Sequence, residues 1–66
     1  MEEKQFITLG QLLKVEDIIA SGGHAKWFLK ENVVYVNGEL EDRRGRKLYA
    51  GDQIVIEGIG EFTLDL

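Results

Sequence analysis

Residues 21–38, SGGHAKWFLKENVVYVNG, constrain this chain more than any other stretch. They close on Asn37-Gly38, directly after the β-branched and aromatic run Val33-Val34-Tyr35-Val36. A two-residue type I′ hairpin needs positive φ at both central positions, and Asn-Gly meets that need at low steric cost. The stretch therefore predicts a strand over 33–36, a tight turn, and a returning strand over 39–42. Upstream, Ser21 is a helix N-cap candidate, followed by Gly22 and Gly23. Ala25, Phe28 and Leu29 then fall at i, i+3 and i+4, which predicts a helix running to about Glu31 with one buried stripe. At about 100° per residue, Gly23, Lys26, Trp27 and Lys30 cluster on a different side of that helix.

The flanking segments supply the rest of a fold. Residues 4–7 read as a short strand with Phe6 and Ile7 as its apolar members. Thr8-Leu9-Gly10-Gln11 has the T-x-x-Q spacing of a capping box, and Ile7 and Leu12 occupy the two positions of a hydrophobic staple around it. Leu9, Leu12 and Leu13 keep helical spacing, so a first helix runs from Leu9 into residues 15–17. After the hairpin, Arg43-Arg44-Gly45-Arg46-Lys47 reads as a charged loop anchored by Leu48. Ala50-Gly51-Asp52 is a turn. Residues 53–57 alternate into a strand with Ile54 and Ile56 on one face. Gly58 and Gly60 break that strand, and residues 61–66 form a last one carrying Phe62 and Leu64, expected to pair with residues 4–7. The order β-α-α-β-β-β-β predicts an α+β fold: two short helices packed on a small mixed or antiparallel sheet.

Length and charge bound the function. A chain of 66 residues is read as one small domain over 1–66, and a domain this size buries only about 60% of its unfolded surface. It has no cysteine, so neither disulfides nor thiolate metal sites are expected, and no cofactor is. No secretory signal is visible and no run approaches the roughly 20 apolar residues of a membrane span; a cytoplasmic protein without membrane contact is expected. The formal charge is −4, yet it is unevenly spread. Between Lys26 and Lys47 six cations (Lys26, Lys30, Arg43, Arg44, Arg46, Lys47) face four acids, while the remainder carries two lysines against eight acids. The cluster is either a nucleic-acid footprint or a solvated charged surface, and composition leaves both readings open.

The individual groups divide in the same way. Lysine and arginine neutralise phosphates, and Lys26 and Lys30 lie one helical turn apart, able to meet adjacent phosphates. Ser21, Gly22 and Gly23 form either an anion-binding helix start or an ordinary cap and tight turn. His24 is a surface or local-cap residue that can donate to a phosphate when protonated. Trp27 has two uses: stacking on an unpaired base, or packing on the sheet or the neighbouring helix, which is expected because so small a domain needs each large apolar group. Acidic pairs such as Glu16-Asp17 and Glu41-Asp42 are expected to be solvated. One histidine and no cysteine give no Ser/His/Asp or Cys/His arrangement, and a catalytic pocket is hard to build at this size; no enzymatic activity is expected.

The segment from Leu9 to Ile56 resembles the S4-type RNA-binding domain. The resemblance rests on Ser21-Gly22-Gly23-His24-Ala25-Lys26, on Val34-Tyr35-Val36-Asn37-Gly38, and on Leu48-x-x-Gly51-Asp52-x-Ile54-x-Ile56, in that order and spacing. The whole chain is similar to the small stand-alone bacterial members of the YaaA/YbcJ type, which carry SGGxAK and RRGRKL segments. The resemblance implies an S4-like fold with an αL RNA-binding motif over about 9–56. It also implies binding of structured ribosomal RNA or tRNA through the start of the second helix and the loop after the hairpin. The implied contact set is Ser21, Gly22, Gly23, His24, Lys26, Lys30, Arg43, Arg44, Arg46 and Lys47. Many members carry an arginine just after the serine, so here that phosphate contact is lost or replaced by backbone N–H groups. Asn32 stands where a glycine often ends the helix in the left-handed conformation, which asparagine tolerates. The expected partner is thus RNA, within or beside the ribosome, bound by a monomer. The alternative is a protein-interaction adaptor in a ribosome- or replication-associated complex that uses the acidic remainder.

Overall fold

The first helix starts where Thr8 caps it. In the computed structural model, which describes residues 5–66, the Thr8 N–H donates to Gln11 Oε1 at 2.8 Å and the Gln11 N–H donates to Thr8 Oγ1 at 3.2 Å. Two otherwise orphaned donors are satisfied reciprocally. Strand β1 (Phe6–Thr8) leads into the cap and α1 spans Leu9–Val15. Asp17, at φ 58°, ends this helix in the left-handed region, with the Asp17 N–H donating to Lys14 O at 3.0 Å and the Ile18 N–H to Leu13 O at 2.9 Å. This is a Schellman ending, and it turns the chain so that Ile19 enters the core. The expected left-handed end at Asn32 is not found. Asn32 is extended, at φ −129° and ψ 148°, and closes α2 through its backbone and side-chain N–H groups, both donating to Phe28 O.

Helix α2 spans Ala25–Glu31 and is preceded by a 3-10 turn over Gly22–His24. Two adjacent glycines hold no regular helix well, so the α-helix begins later than the Ser21 signal predicts. The hairpin forms as expected. Strands β2 (Val34–Val36) and β3 (Glu39–Leu40) pair antiparallel around Asn37 and Gly38, whose φ values are 52° and 83°. Asn37 Oδ1 also accepts from the Gln53 N–H at 2.9 Å, tying the turn to the next strand.

Strands β4 (Lys47–Tyr49), β5 (Gln53–Ile56) and β6 (Gly60–Thr63) complete two antiparallel sheets, β1-β4 and β3-β2-β5-β6. Two expectations are corrected here. The last strand pairs with β5, Ile54 opposite Phe62, and not with the first; Gly58 and Gly60, at φ 81° and 150°, turn the chain straight back into a hairpin. The first strand instead pairs with β4, Ile7 opposite Leu48, so Lys47, expected in the charged loop, lies in a strand with the Leu48 anchor. The part of the expected first strand at Lys4 lies outside the described residues. Both sheets and both helices share one core, in which Leu9, Leu13, Ala25, Val34, Val36, Leu48 and Ile54 are fully buried. No helix among the described residues is long and apolar enough to cross a membrane.

The returning strand stops at Leu40 because Glu41 turns inward. Its N–H still donates to Val34 O at 2.8 Å, but the residue is only 5% exposed, against the expectation that it is solvated. Its carboxylate accepts five hydrogen bonds: from the backbone N–H groups of Asp42 and Arg43 (both 3.1 Å), from Arg43 Nε and Nη2 (3.0 and 3.1 Å), and from Arg46 Nη1 (2.8 Å). A buried carboxylate is tolerated only when paired in this way. The folded loop then offers its carbonyls to α1. The Leu9 N–H donates to Arg46 O and the Gly10 N–H to Arg44 O, both at 2.9 Å. Gly10 permits the close approach: a Cβ there would sit 3.4 Å from the Cβ and carbonyl oxygen of Arg44 and 3.5 Å from the Ala25 Cβ.

The Arg43 fork is the largest of the influences that lower the Glu41 pKa, which falls from 4.5 to about 2 against the opposing effect of burial. As pH falls, the unfolded chain takes up this proton before the folded one. The stabilisation is therefore complete above pH 4.5 and is lost as pH falls through 4.5 toward 2. Glu41→Gln is expected to lower stability at pH 7 by about 1–3 kcal/mol, the cost of unmet hydrogen bonds around a buried acceptor. Urea melts of both proteins from pH 7 to pH 2.5 check this: the gap between them narrows through that window, and a constant gap contradicts the assignment.

Candidate nucleic-acid interface

The loop cations do not all have the same freedom. Arg43 and Arg46 share the Glu41 carboxylate, with side chains 70% and 28% exposed. The hydrogen bonds that Arg43 donates to Glu41 raise the Arg43 pKa further, so its charge is permanent. Two guanidinium groups against one carboxylate leave a net positive loop whose arginines are held in place and keep N–H donors that Glu41 does not use. Arg44 sits between them, exposed, in the turn that docks on α1, and makes no ion pair among the described residues. Lys47 lies in β4 with its ammonium 4.9 Å from the centre of the Phe6 ring. It belongs to the β1-β4 edge, opposite Thr8.

Docking the Arg44–Gly45 turn on α1 creates a shallow cleft of about 380 Å³ lined by Thr8, Gly10, Gln11, Lys14, Gly22, Arg44 and Gly45. Arg44 and Gly22, twenty-two positions apart in sequence, meet here. Lys14 joins them, a residue that the clustering of cations between Lys26 and Lys47 does not reveal. Its signal is helical spacing: Gly10, Gln11 and Lys14 fall at i, i+1 and i+4 on one side of α1, opposite the side that buries Leu12. Lys14 is exposed and makes no ion pair among the described residues.

Helix α2 borders the cleft. Its first residue, Ala25, lies against Gly10 and hence beside the Arg44 turn. Ala25, Phe28 and Leu29 face the core, which leaves Lys26, Trp27 and Lys30 on the outer side. The loop therefore meets the 3-10 turn that leads into α2, through Arg44 and Gly22. Trp27 departs from the packing expectation: it is 60% exposed, with the Lys30 ammonium 5.0 Å from the ring centre. The physical reason is angular, since Trp27 precedes the buried pair Phe28-Leu29 and points about 100° away from Phe28.

The start of α2 is less open than its glycines suggest. The Ser21 side chain makes no capping hydrogen bond. Within the 3-10 turn the His24 N–H donates to Ser21 O at 3.1 Å and the Ala25 N–H donates to Gly22 O. Two backbone donors are thus spent internally. Ser21, Gly22, Gly23 and His24 are all exposed, and Gly22 alone of them lines the cleft. Among the described residues no three His, Cys, Asp or Glu side chains group in a way that would hold a metal ion. The arrangement offers two exposed cations and the Thr8 hydroxyl on a shallow surface, which suits a polyanion.

Comparisons with known proteins bear on the family. The family described as the S4 domain matches residues 2–63. The probable ribosome maturation protein RlbA of Bacillus subtilis (strain 168) is 60% identical over 62 residues, an alignment that covers 94% of this chain and 87% of that protein. No solved structure matches the chain significantly. With the profile spanning nearly all of the sequence, and with two helices and antiparallel sheets in the arrangement that resemblance implies, the chain belongs to the S4 domain family.

Proposed function

We propose that the chain is a non-catalytic RNA-binding module that grips structured RNA, ribosomal RNA ahead of tRNA, and acts as a monomer on ribosomal particles in the cytoplasm. The observation that carries the reading is the cleft in which Lys14 and Arg44 converge beside Gly22, with Lys26 and Lys30 continuing along α2. The name of the Bacillus relative, a probable ribosome maturation protein, favours ribosomal RNA. Arg44 and Lys14 meet phosphates across the cleft, and Lys26 and Lys30 meet the next ones along the strand. Arg43 and Arg46 contribute their outward N–H donors, and Lys47 sits at the margin. Gly22 lines the cleft and is placed for backbone contact, and Ser21, Gly23 and His24 flank it in the sequence. Recognition is by shape and backbone, as is general for helical RNA.

Binding then follows counterion release, and log K falls linearly with log salt. Arg44→Ala and Lys14→Ala are each expected to lower the steepness of that line by about one while leaving the fold intact. Arg46→Ala weakens binding and also loosens the loop, so its urea midpoint drops as well. Titration of labelled ribosomal RNA fragments at several salt concentrations checks this. Absence of binding at low salt, or a triple Lys14/Lys26/Arg44→Ala variant that binds like the parent, contradicts the reading.

One observation favours the adaptor reading as an addition. A groove floored by Ile7, Leu12, Phe62 and Leu64 runs between α1 and β6 and is rimmed by Glu16, Glu61 and Asp65. Its acidic rim suits a basic protein segment and repels RNA. A Glu16→Lys/Glu61→Lys variant is expected to bind naked RNA at least as well as the parent and to lose nuclease-resistant association with ribosomal particles. Unchanged association removes the adaptor role.

A further inference from the structure

Trp27 is the chain's one tryptophan, and the fold leaves it outside. The core closes without it: on the same helix Ala25, Phe28 and Leu29 are buried and Trp27 is 60% exposed. A lone exposed apolar side chain is commonplace, so exposure by itself says little. Its surroundings are more specific. The Lys30 ammonium stands 5.0 Å from the ring centre, and Lys26 and Glu31 share the outer side of this short helix. Burying this patch under another protein would bury lysines and a glutamate with the ring, and interface centres are depleted in those residues. A nucleotide makes no such demand. Its base covers the indole face opposite the Lys30 ammonium while its phosphate keeps the lysine charges satisfied, and the two parts of one nucleotide reach a ring and an ammonium this close together.

We propose that Trp27 is a stacking platform for one unpaired base, and that the RNA held by this domain carries a bulged or single-stranded nucleotide where its helix passes α2. The inference rests on the RNA-binding reading above. Lys14 and Arg44 hold the phosphates of the paired part, and Lys26, Lys30 and Trp27 take the nucleotide that leaves the stack. Shape and charge alone would bind any helix of suitable size, whereas a stacked base adds a preference for helices interrupted at one place. The preference is tolerant of base identity, because every base has a π-face.

Because Trp27 is the single tryptophan, its emission reports the site directly. Three RNAs with one paired stem are compared: fully paired, carrying one bulged nucleotide, and carrying an abasic residue at the bulge. Binding is followed by anisotropy of a dye on the RNA, and stacking by quenching of the tryptophan. The bulged RNA is expected to bind about 5- to 150-fold more tightly than the other two, the range of one stacked base, and it alone quenches Trp27. Trp27→Ala removes the preference and leaves affinity for the paired stem within about twofold; Trp27→Phe keeps part of it. Equal binding of all three RNAs with unmoved emission overturns the stacking proposal and leaves RNA binding standing. Quenching by all three alike, or a Trp27→Ala loss equal for all three, means that the ring rests against the backbone and likewise overturns it. Failure of every RNA to bind at low salt removes both readings together. The circular dichroism of each variant confirms its fold.

Discussion

A single buried carboxylate decides where the basic loop goes. Three arginines and a lysine within five residues repel one another, and nothing in their own chemistry would fold them. Glu41 gathers two of the guanidinium groups and two backbone N–H groups onto its oxygens, and the loop backbone becomes rigid enough to dock. The docked carbonyls of Arg44 and Arg46 satisfy the first two N–H groups of α1, donors that a helix start otherwise leaves to water. Thr8 and Gln11 satisfy the next pair of local donors. The β1-β4 ladder then closes the loop at its far end. Together these contacts set the path of the loop backbone before any ligand arrives, which lowers the ordering cost of binding.

Helix α1 divides the molecule electrically. One side, through Gly10, Gln11 and Lys14, lines the cleft beneath Arg44. The other, through Leu12, Val15 and Glu16, lines the acid-rimmed groove beside β6. The formal charge of −4 therefore does not conflict with a polyanion partner. Among the described residues no acid lines the cleft, whereas Glu16, Glu61 and Asp65 line the groove, and the field near a surface depends on which charges are close.

Much of this is legible in the residues, for local reasons. Asn37-Gly38 and the Thr8–Gln11 box are signals whose geometry is complete within four positions, and both form as their chemistry requires. The α+β class and the buried stripe of α2 follow from periodicity. What stays hidden depends on partners distant in sequence or on competition between local choices. Glu41 looks like half of a solvated acidic pair until the loop folds over it. Leu48 looks like a loop anchor beside the charged run, yet it pairs with Ile7 across forty-one positions. The last strand, β6, is captured by the nearer β5 before it can reach β1. Lys14 lies outside the cation cluster and enters the cleft through the docking that Gly10 permits. A small domain's general need for apolar bulk points Trp27 to the core, and the helix phase set by Phe28 and Leu29 overrides that need.

The central claim is that RNA lies across the cleft between α1, the Arg44 turn and the start of α2. The most direct measurement is a map of backbone amide shifts as a ribosomal RNA fragment is titrated into isotopically labelled protein. The account predicts the largest changes at Gly10, Lys14, Gly22, Lys26, Arg44 and Gly45, with Glu16, Glu61 and Leu64 unmoved. Changes concentrated at Glu16, Glu61 and Leu64, with Lys14 and Arg44 still, would contradict it.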